Sequence, residues 1–172
     1  MELMRKKLAT LRGEATKDAS SPWFKPDEGD TDIRIVPTND GDPLKEMFFH
    51  YNVGEHKGGI LCPKRNYGES CPICEFASSL WREGVDNNDD ESKKLAKSLF
   101  VRTRYFSPVV VRGREEEGIK VYGYGKQAYE LLLGYILDPE YGDITDSREG
   151  TDITLTYTKP NKPGAYPQTS LK

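Results

Sequence analysis

Three cysteines and two histidines carry the sharpest chemical signal in this 172-residue chain. Cys62, Cys71 and Cys74 fall within thirteen residues, in the order Cys62-Pro63-Lys64-Arg65-Asn66-Tyr67-Gly68-Glu69-Ser70-Cys71-Pro72-Ile73-Cys74, with His50 and His56 just upstream. Three thiolates and one imidazole fill the tetrahedral shell of a structural zinc ion, and four protein ligands leave no open position for water or substrate. One such Zn2+ is the expected cofactor. Pro72 is suited to the first position of a helix, whose N-terminus stabilises the thiolates that a metal needs. Cys-Pro-Ile-Cys opening a helix is also the form of a redox dithiol. That chemistry needs a βαβ unit, however, whereas residues 46–62 read as a hairpin, and it gives Cys62 and the histidines no role. His50 is the preferred histidine ligand. Folding the hairpin about Gly54 to Gly59 brings it opposite Cys62, provided the register keeps it on that face. His56, at the turn itself, is the reserve.

A second pattern joins cations to aromatic rings. Val101-Arg102-Thr103-Arg104-Tyr105-Phe106 sets two arginines at alternate positions beside two rings. Lys120-Val121-Tyr122-Gly123-Tyr124-Gly125-Lys126 repeats the theme, with Tyr122 and Tyr124 on one face. Gripping a single strand without reading its sequence needs flat rings for the bases and cations for the phosphates. Arg34, Lys64 and Arg65 extend the same set of candidates. A tyrosine-rich, half-solvated sheet accounts for the tyrosines equally well, because tyrosine is favoured in strands. Gly123-x-Gly125 lacks the lysine and hydroxyl spacing of a phosphate loop.

The elements that must position these groups are short. Asp30 to Val36 alternates and is closed by Pro37. Glu46 to Val53 is an aromatic strand, and Ile60 to Cys62 is its hairpin return. Pro72 to Glu83 reads as a helix ended by Gly84, and Asp86 to Lys94 as a charged connector. Ser98 to Tyr105, Val109 to Arg112 and Gly118 to Tyr124 are strands, and Lys126 to Leu137 is a helix. Asp138 to Gly150 is an acidic loop. Thr151 to Thr158 is a strand, and the proline-bearing tail from Lys159 is expected to be irregular. The pattern fits a small barrel or a β-rich α+β fold. Residues 1–20 form a basic arm carrying Arg5, Lys6 and Lys7, with little core-forming sequence.

Composition sets the frame. Charged residues are 31% and the net charge is −3, with a mean hydropathy of −0.73. A generic polycation is excluded, but a polyanion ligand is not, because cations and carboxylates cluster apart. The carboxylates show neither metal nor acid–base spacing and read as solvated loops. The most apolar run, Tyr129 to Leu137, is too short to span a bilayer. The start lacks a secretory apolar core, and three cysteines make no disulfide framework. The expectation is a soluble, non-enzymatic, intracellular protein of one domain.

The chain resembles the single-stranded DNA-binding proteins of T4-type bacteriophages over about residues 30–160. The resemblance is carried by Ile33-Arg34-Ile35-Val36-Pro37, the His50…Cys62…Cys71-Pro72-Ile73-Cys74 array, Arg102-Thr103-Arg104-Tyr105-Phe106 and Tyr122-Gly123-Tyr124-Gly125-Lys126. It implies an OB-fold, a five-stranded Greek-key barrel, over residues 21–172. A zinc-binding subdomain would be inserted at about 46–97, with a strand-binding cleft between the two. By position it matches His50 rather than His56 to the family's ligand. It further implies coating of single strands in phage DNA replication, recombination and repair. Self-association would run along DNA through the arm, with phage replication proteins as partners, in the cytoplasm of an infected bacterial host. The family's acidic C-terminal tail has no counterpart after Lys159. The alternative reading is a zinc-containing protein-interaction module, such as a phage transcription or replication accessory.

Overall fold

Alternation of apolar and polar residues dictates the central strands. Ile33 and Ile35 turn inward from β2 (Gly29–Ile35), and Tyr105, Ser107, Val109 and Val111 do so from β5 (Arg102–Val111). A computed structural model describes residues 21–56, 58–146, 148–159 and 168–172. The arm with Arg5, Lys6 and Lys7 lies outside the described residues. The remaining strands are β1 (Trp23–Phe24), β3 (Lys45–His50), β4 (Ile60–Leu61), β6 (Lys120–Tyr124), β7 (Ile153–Thr158) and β8 (Gln168–Leu171). Four helices accompany them among the described residues: α1 (Pro63–Tyr67), α2 (Pro72–Asp86), α3 (Asp90–Leu99) and α4 (Lys126–Leu137). The class is β-rich α+β, with one mixed sheet of eight strands ordered β1-β6-β5-β2-β7-β8. β3 joins through β5 and carries β4, and among the described residues only the β1–β6 pair is parallel. Ile33, Ile35, Val109, Val111, Leu132, Ile153 and Leu155 are buried at its centre. Full burial of each such side chain favours folding by about 1.5–3 kcal/mol.

Four sequence expectations are corrected. The strands expected at Ser98 to Tyr105 and Val109 to Arg112 are one strand, β5, which starts only at Arg102, because Ser98 and Leu99 close the helix α3. Its first half pairs with β3 and its second with β2 along the same edge. Pro108, which has no N–H, falls at the change of partner, and its carbonyl accepts from the Val36 N–H at 2.9 Å. Gly84 does not end its helix. It is buried within α2, where a Cβ would lie 3.0 Å from the Lys93 backbone nitrogen and 3.1 Å from the Asp89 carbonyl oxygen. The charged connector is mostly helix: Asp89 caps α3 by accepting from the N–H groups of Glu91 and Ser92 at 3.0 and 3.3 Å. The tail returns to the sheet as β8, paired with β7 from Gln168 to Leu171. Among the described residues no helix is long and apolar enough to cross a membrane.

Candidate metal centre and nucleic-acid interface

The hairpin and the two helices after it bring four donors to one point. In β3–β4 the register sets His50 against Ile60, and the Cys62 N–H bonds the Phe48 carbonyl at 2.9 Å. The pairing is shifted by two residues from the expected facing of His50 with Cys62. A shift of two preserves the face of the pleat, so both side chains still point the same way. Cys62 caps α1, Cys71 caps α2, and Cys74 follows in the first turn of α2. Donor atoms of His50, Cys62, Cys71 and Cys74 all lie within 4.8 Å of one another. His56 is exposed and stands apart, against Gly58.

The spacing matches a tetrahedral ion. Zinc bonds of about 2.3 Å to sulfur and 2.0–2.1 Å to nitrogen set sulfurs about 3.8 Å apart and sulfur about 3.6 Å from nitrogen. Cys62 Sγ lies 3.6 Å from Cys74 Sγ. His50 Nε2 lies 3.4 Å from Cys71 Sγ and 3.5 Å from Cys74 Sγ. His50 Nδ1 sits 2.7 Å from the Leu99 carbonyl. Donating there fixes the tautomer that leaves Nε2 free to bind a metal.

The electrostatics ask for a cation. Burial raises the Cys71 thiol, but hydrogen bonds from the Cys74 backbone and from neighbouring Cys74, His50 and Cys62 side chains bring it down to about 7. Burial and the adjacent Cys62 and Cys71 push Cys74 up to about 12. One thiolate forms readily and further ones are resisted, until a dication balances their charge. The four residues are compatible with a metal site of the zinc type.

Basic and aromatic candidates divide by face. Even-numbered positions of β5 face outward, so Arg102, Arg104 and Phe106 stand on the open side. Neither arginine meets a carboxylate within ion-pair distance among the described residues. Around them runs a chain of rings, of which the sequence patterns singled out Phe106 but not Trp23, Phe49 or Tyr51. Trp23, 51% exposed, meets Phe106 edge-on at 5.7 Å. Phe106 meets Phe49 at 5.9 Å, and Phe49 meets Tyr51 at 6.2 Å. Gly123 makes room: a Cβ there would lie 3.0 Å from the Phe106 ring. The available signal was the aromatic run Phe48-Phe49-His50-Tyr51.

Tyr105, Tyr122 and Tyr124 instead face the core. Tyr122 and Tyr124 are 4% and 3% exposed. Tyr105 stacks on Tyr129 at 3.9 Å, and the Tyr124 hydroxyl lies 2.7 Å from Ser107 Oγ. Burial pushes the Tyr122 hydroxyl up to about 12. Inward pleat positions need bulk, and tyrosine supplies it. Tyr122 and Tyr124 also line a cavity of about 470 Å³, together with Arg104, Gly123 and Lys126. Lys126 is exposed and lies 3.3 Å from Glu130.

The other cations are scattered. Lys64 and Arg65 are exposed on α1, and the Arg65 guanidinium lies 4.7 Å from the centre of the Phe48 ring. Arg34, opposite Val110, is six residues along β5 from Arg104, about 20 Å at the strand rise. It is held by Asp152 at 2.6 Å.

The sheet thus carries a four-donor cluster compatible with a metal ion and, on its open side, cations beside aromatic rings. A family model described as gp32 DNA binding protein like matches residues 27–170, and the chain belongs to that family. Comparison with curated proteins finds no match.

Proposed function

We infer that this protein binds single-stranded DNA without reading its sequence, coating and protecting strands exposed in phage DNA replication, recombination and repair. The observation that carries the reading is the outward face of β5. Arg102 and Arg104 rise there, without ion-pair partners among the described residues, beside Trp23, Phe106 and Phe49. Rings and cations on one surface are what a sequence-tolerant strand binder needs, and each stacked base is worth about 1–3 kcal/mol. The track continues to Lys126 and the edges of Tyr122 and Tyr124, with Lys64 and Arg65 on the metal module at its flank. Tyr105 and Arg34 support this surface from behind and from its far end.

The architecture fits an OB-fold in which β2, β5, β6, β7 and β8 are the five strands and α4 joins the third to the fourth. Supporting this are the neighbour order β6-β5-β2-β7-β8 and a hydrogen bond between the Tyr122 and Thr169 side chains of its two end strands. Oligonucleotides bind such barrels on the second and third strands, which here are β5 and β6. The segment at about 46–97 is then a subdomain inserted between the first two strands. It is held by one structural zinc ion on His50, Cys62, Cys71 and Cys74. The protein is not an enzyme. It works in the cytoplasm of the infected host, associates with itself along DNA through Arg5, Lys6 and Lys7, and meets phage replication proteins there.

Titration with oligo-dT and with duplex DNA of equal length tests the reading. Tighter binding to oligo-dT is expected. Equal binding to both, or none, would overturn the assignment and leave the protein-interaction module.

A further inference from the structure

α2 and α3 pack along small residues and leave one side of their seam open. Ala77 and Gly84, seven apart on one face of α2, are buried, as is Ala96 of α3. Gly84 lies against the Lys93 backbone, while Trp81, one turn earlier, meets Lys97 and Phe100, so the two helices run antiparallel. Trp81 closes one side of the seam: its ring lies 6.0 Å from the Phe100 ring and 5.3 Å from Lys97 Nζ. The other side is a groove of about 380 Å³, with Val53, Ile73, Phe76, Leu95 and Leu99 in its lining. Phe76 and Leu95 form its walls and are 57% and 50% exposed. Large apolar side chains exposed together mark an interaction surface.

Helical spacing continues this groove toward the turn between the helices. Phe76, Leu80 and Glu83 fall at i, i+4 and i+7 and form one stripe of α2. Glu91 and Leu95, four apart, form the matching stripe of α3. Because the helices are antiparallel, both carboxylates stand at the end of the groove nearest the turn. Both residues are exposed, and Glu83 accepts the Ser79 hydroxyl at 3.4 Å. Neither meets a cation within ion-pair distance among the described residues. The nearby lysines are drawn elsewhere: Lys93 is held by Asp90 at 2.6 Å, and Lys94 shares the Lys97 side of α3, across the seam. The groove is therefore apolar at one end and anionic at the other. From Ile73 to Glu83 it runs for about 15 Å, close to three helical turns.

We propose that the groove between α2 and α3 docks an amphipathic helix of a partner protein. Apolar side chains of that helix at i, i+3 or i+4 and i+7 sit between Phe76 and Leu95, the spacing by which a helix fills an apolar groove. Lysines or arginines in its next turn lie over Glu83 and Glu91. Charge complementarity at one end fixes the direction of the helix, since the reverse orientation strands its cations on the apolar end. The proposal goes beyond the single-strand-binding reading and stands without it, because no residue of β5 lines the groove.

Full-length protein tests it, with a fluorescent, side-chain-stapled helical peptide of about four turns as the probe. The peptide carries leucines at i, i+3, i+4 and i+7 and arginines in the turn that follows. One-to-one binding is expected, about tenfold tighter than for a peptide of scrambled order or for one with glutamates in place of the arginines. Glu83→Lys/Glu91→Lys, which alters two exposed side chains, should reverse the preference to the glutamate peptide. Phe76→Ser/Leu95→Ser should lose about tenfold in peptide affinity and keep the parent's affinity for oligo-dT. Backbone amide shifts should move in α2 and α3 and stay fixed in β5. A folded parent that binds none of the peptides, or binds the ordered and scrambled ones equally, would overturn the proposal. So would parental preference in the charge-reversed variant, or shifts gathered outside α2 and α3. Self-association of the parent that Phe76→Ser/Leu95→Ser abolishes would give the groove to a second copy and overturn it as well.

Discussion

At the residue scale the four-donor cluster was the most legible part of the molecule, because ligand chemistry restricts both residue type and spacing. Cys71→Ser should abolish stoichiometric zinc and lower the melting temperature, measured by metal analysis and thermal unfolding. His50→Ala should lose zinc affinity, whereas His56→Ala should not, since only His50 presents Nε2 to the thiols. A folded parent free of metal would contradict both expectations. What the sequence did not contain is the Leu99 carbonyl that orients His50. That acceptor arrives from a helix 49 residues downstream and belongs to packing rather than to a motif. Asp152 illustrates another hidden contact. Hydrogen bonds from Arg112 and then Arg34 hold its carboxyl below the ordinary carboxylate range. A lowered folded pKa adds stability above the unfolded pKa and loses it as pH falls through the folded one. Asp152→Asn should therefore lower the melting temperature at neutral pH, with the gap to the parent closing on acidification below about pH 4. A gap independent of pH would assign the loss to packing.

At the element scale, strong periodicity was read well and context was not. Lys126 to Leu137 and the alternation of β2 and β7 follow from local pattern alone, and the structure has them at nearly those bounds. α3 escaped because its apolar residues are few: Ala96 and Leu99 are buried, while four of the five residues from Asp90 to Lys94 are charged. Gly84 misled for the opposite reason. Glycine often ends a helix, but here it lets α3 approach α2 at backbone contact. Gly84→Val should destabilise the protein by about 1–3 kcal/mol through overpacking, read by chemical denaturation, although glycine is the poorer helix former. An unchanged midpoint would mean that the two helices separate without cost. β8 was missed because a short strand following prolines has little local signature and takes its place only by pairing with β7.

At the scale of the whole molecule, a net charge of −3 conceals a division of labour. Cations rise from the outward face of β5, and carboxylates gather near the C-terminal end of α4. Composition indicated that division, but not which rings face outward. That depended on the pleat, which turned Tyr105, Tyr122 and Tyr124 inward and left Trp23, Phe49 and Phe106 on the open side. Deleting residues 1–20 should leave folding and short-oligonucleotide binding intact while lowering cooperative coating of long strands. Equal coating by the truncated and full-length chains would remove the arm from the account. The most direct test is the salt dependence of oligo-dT affinity for the parent, Phe106→Ala and Arg102→Ala/Arg104→Ala. The paired arginine variant should bind more weakly and flatten the slope of log affinity against log salt by about 1.4, two contacts at about 0.7 each. Phe106→Ala should lose about 1–3 kcal/mol with the slope unchanged. Parental affinity and slope in both folded variants would contradict the claim that the outward face of β5 holds the strand.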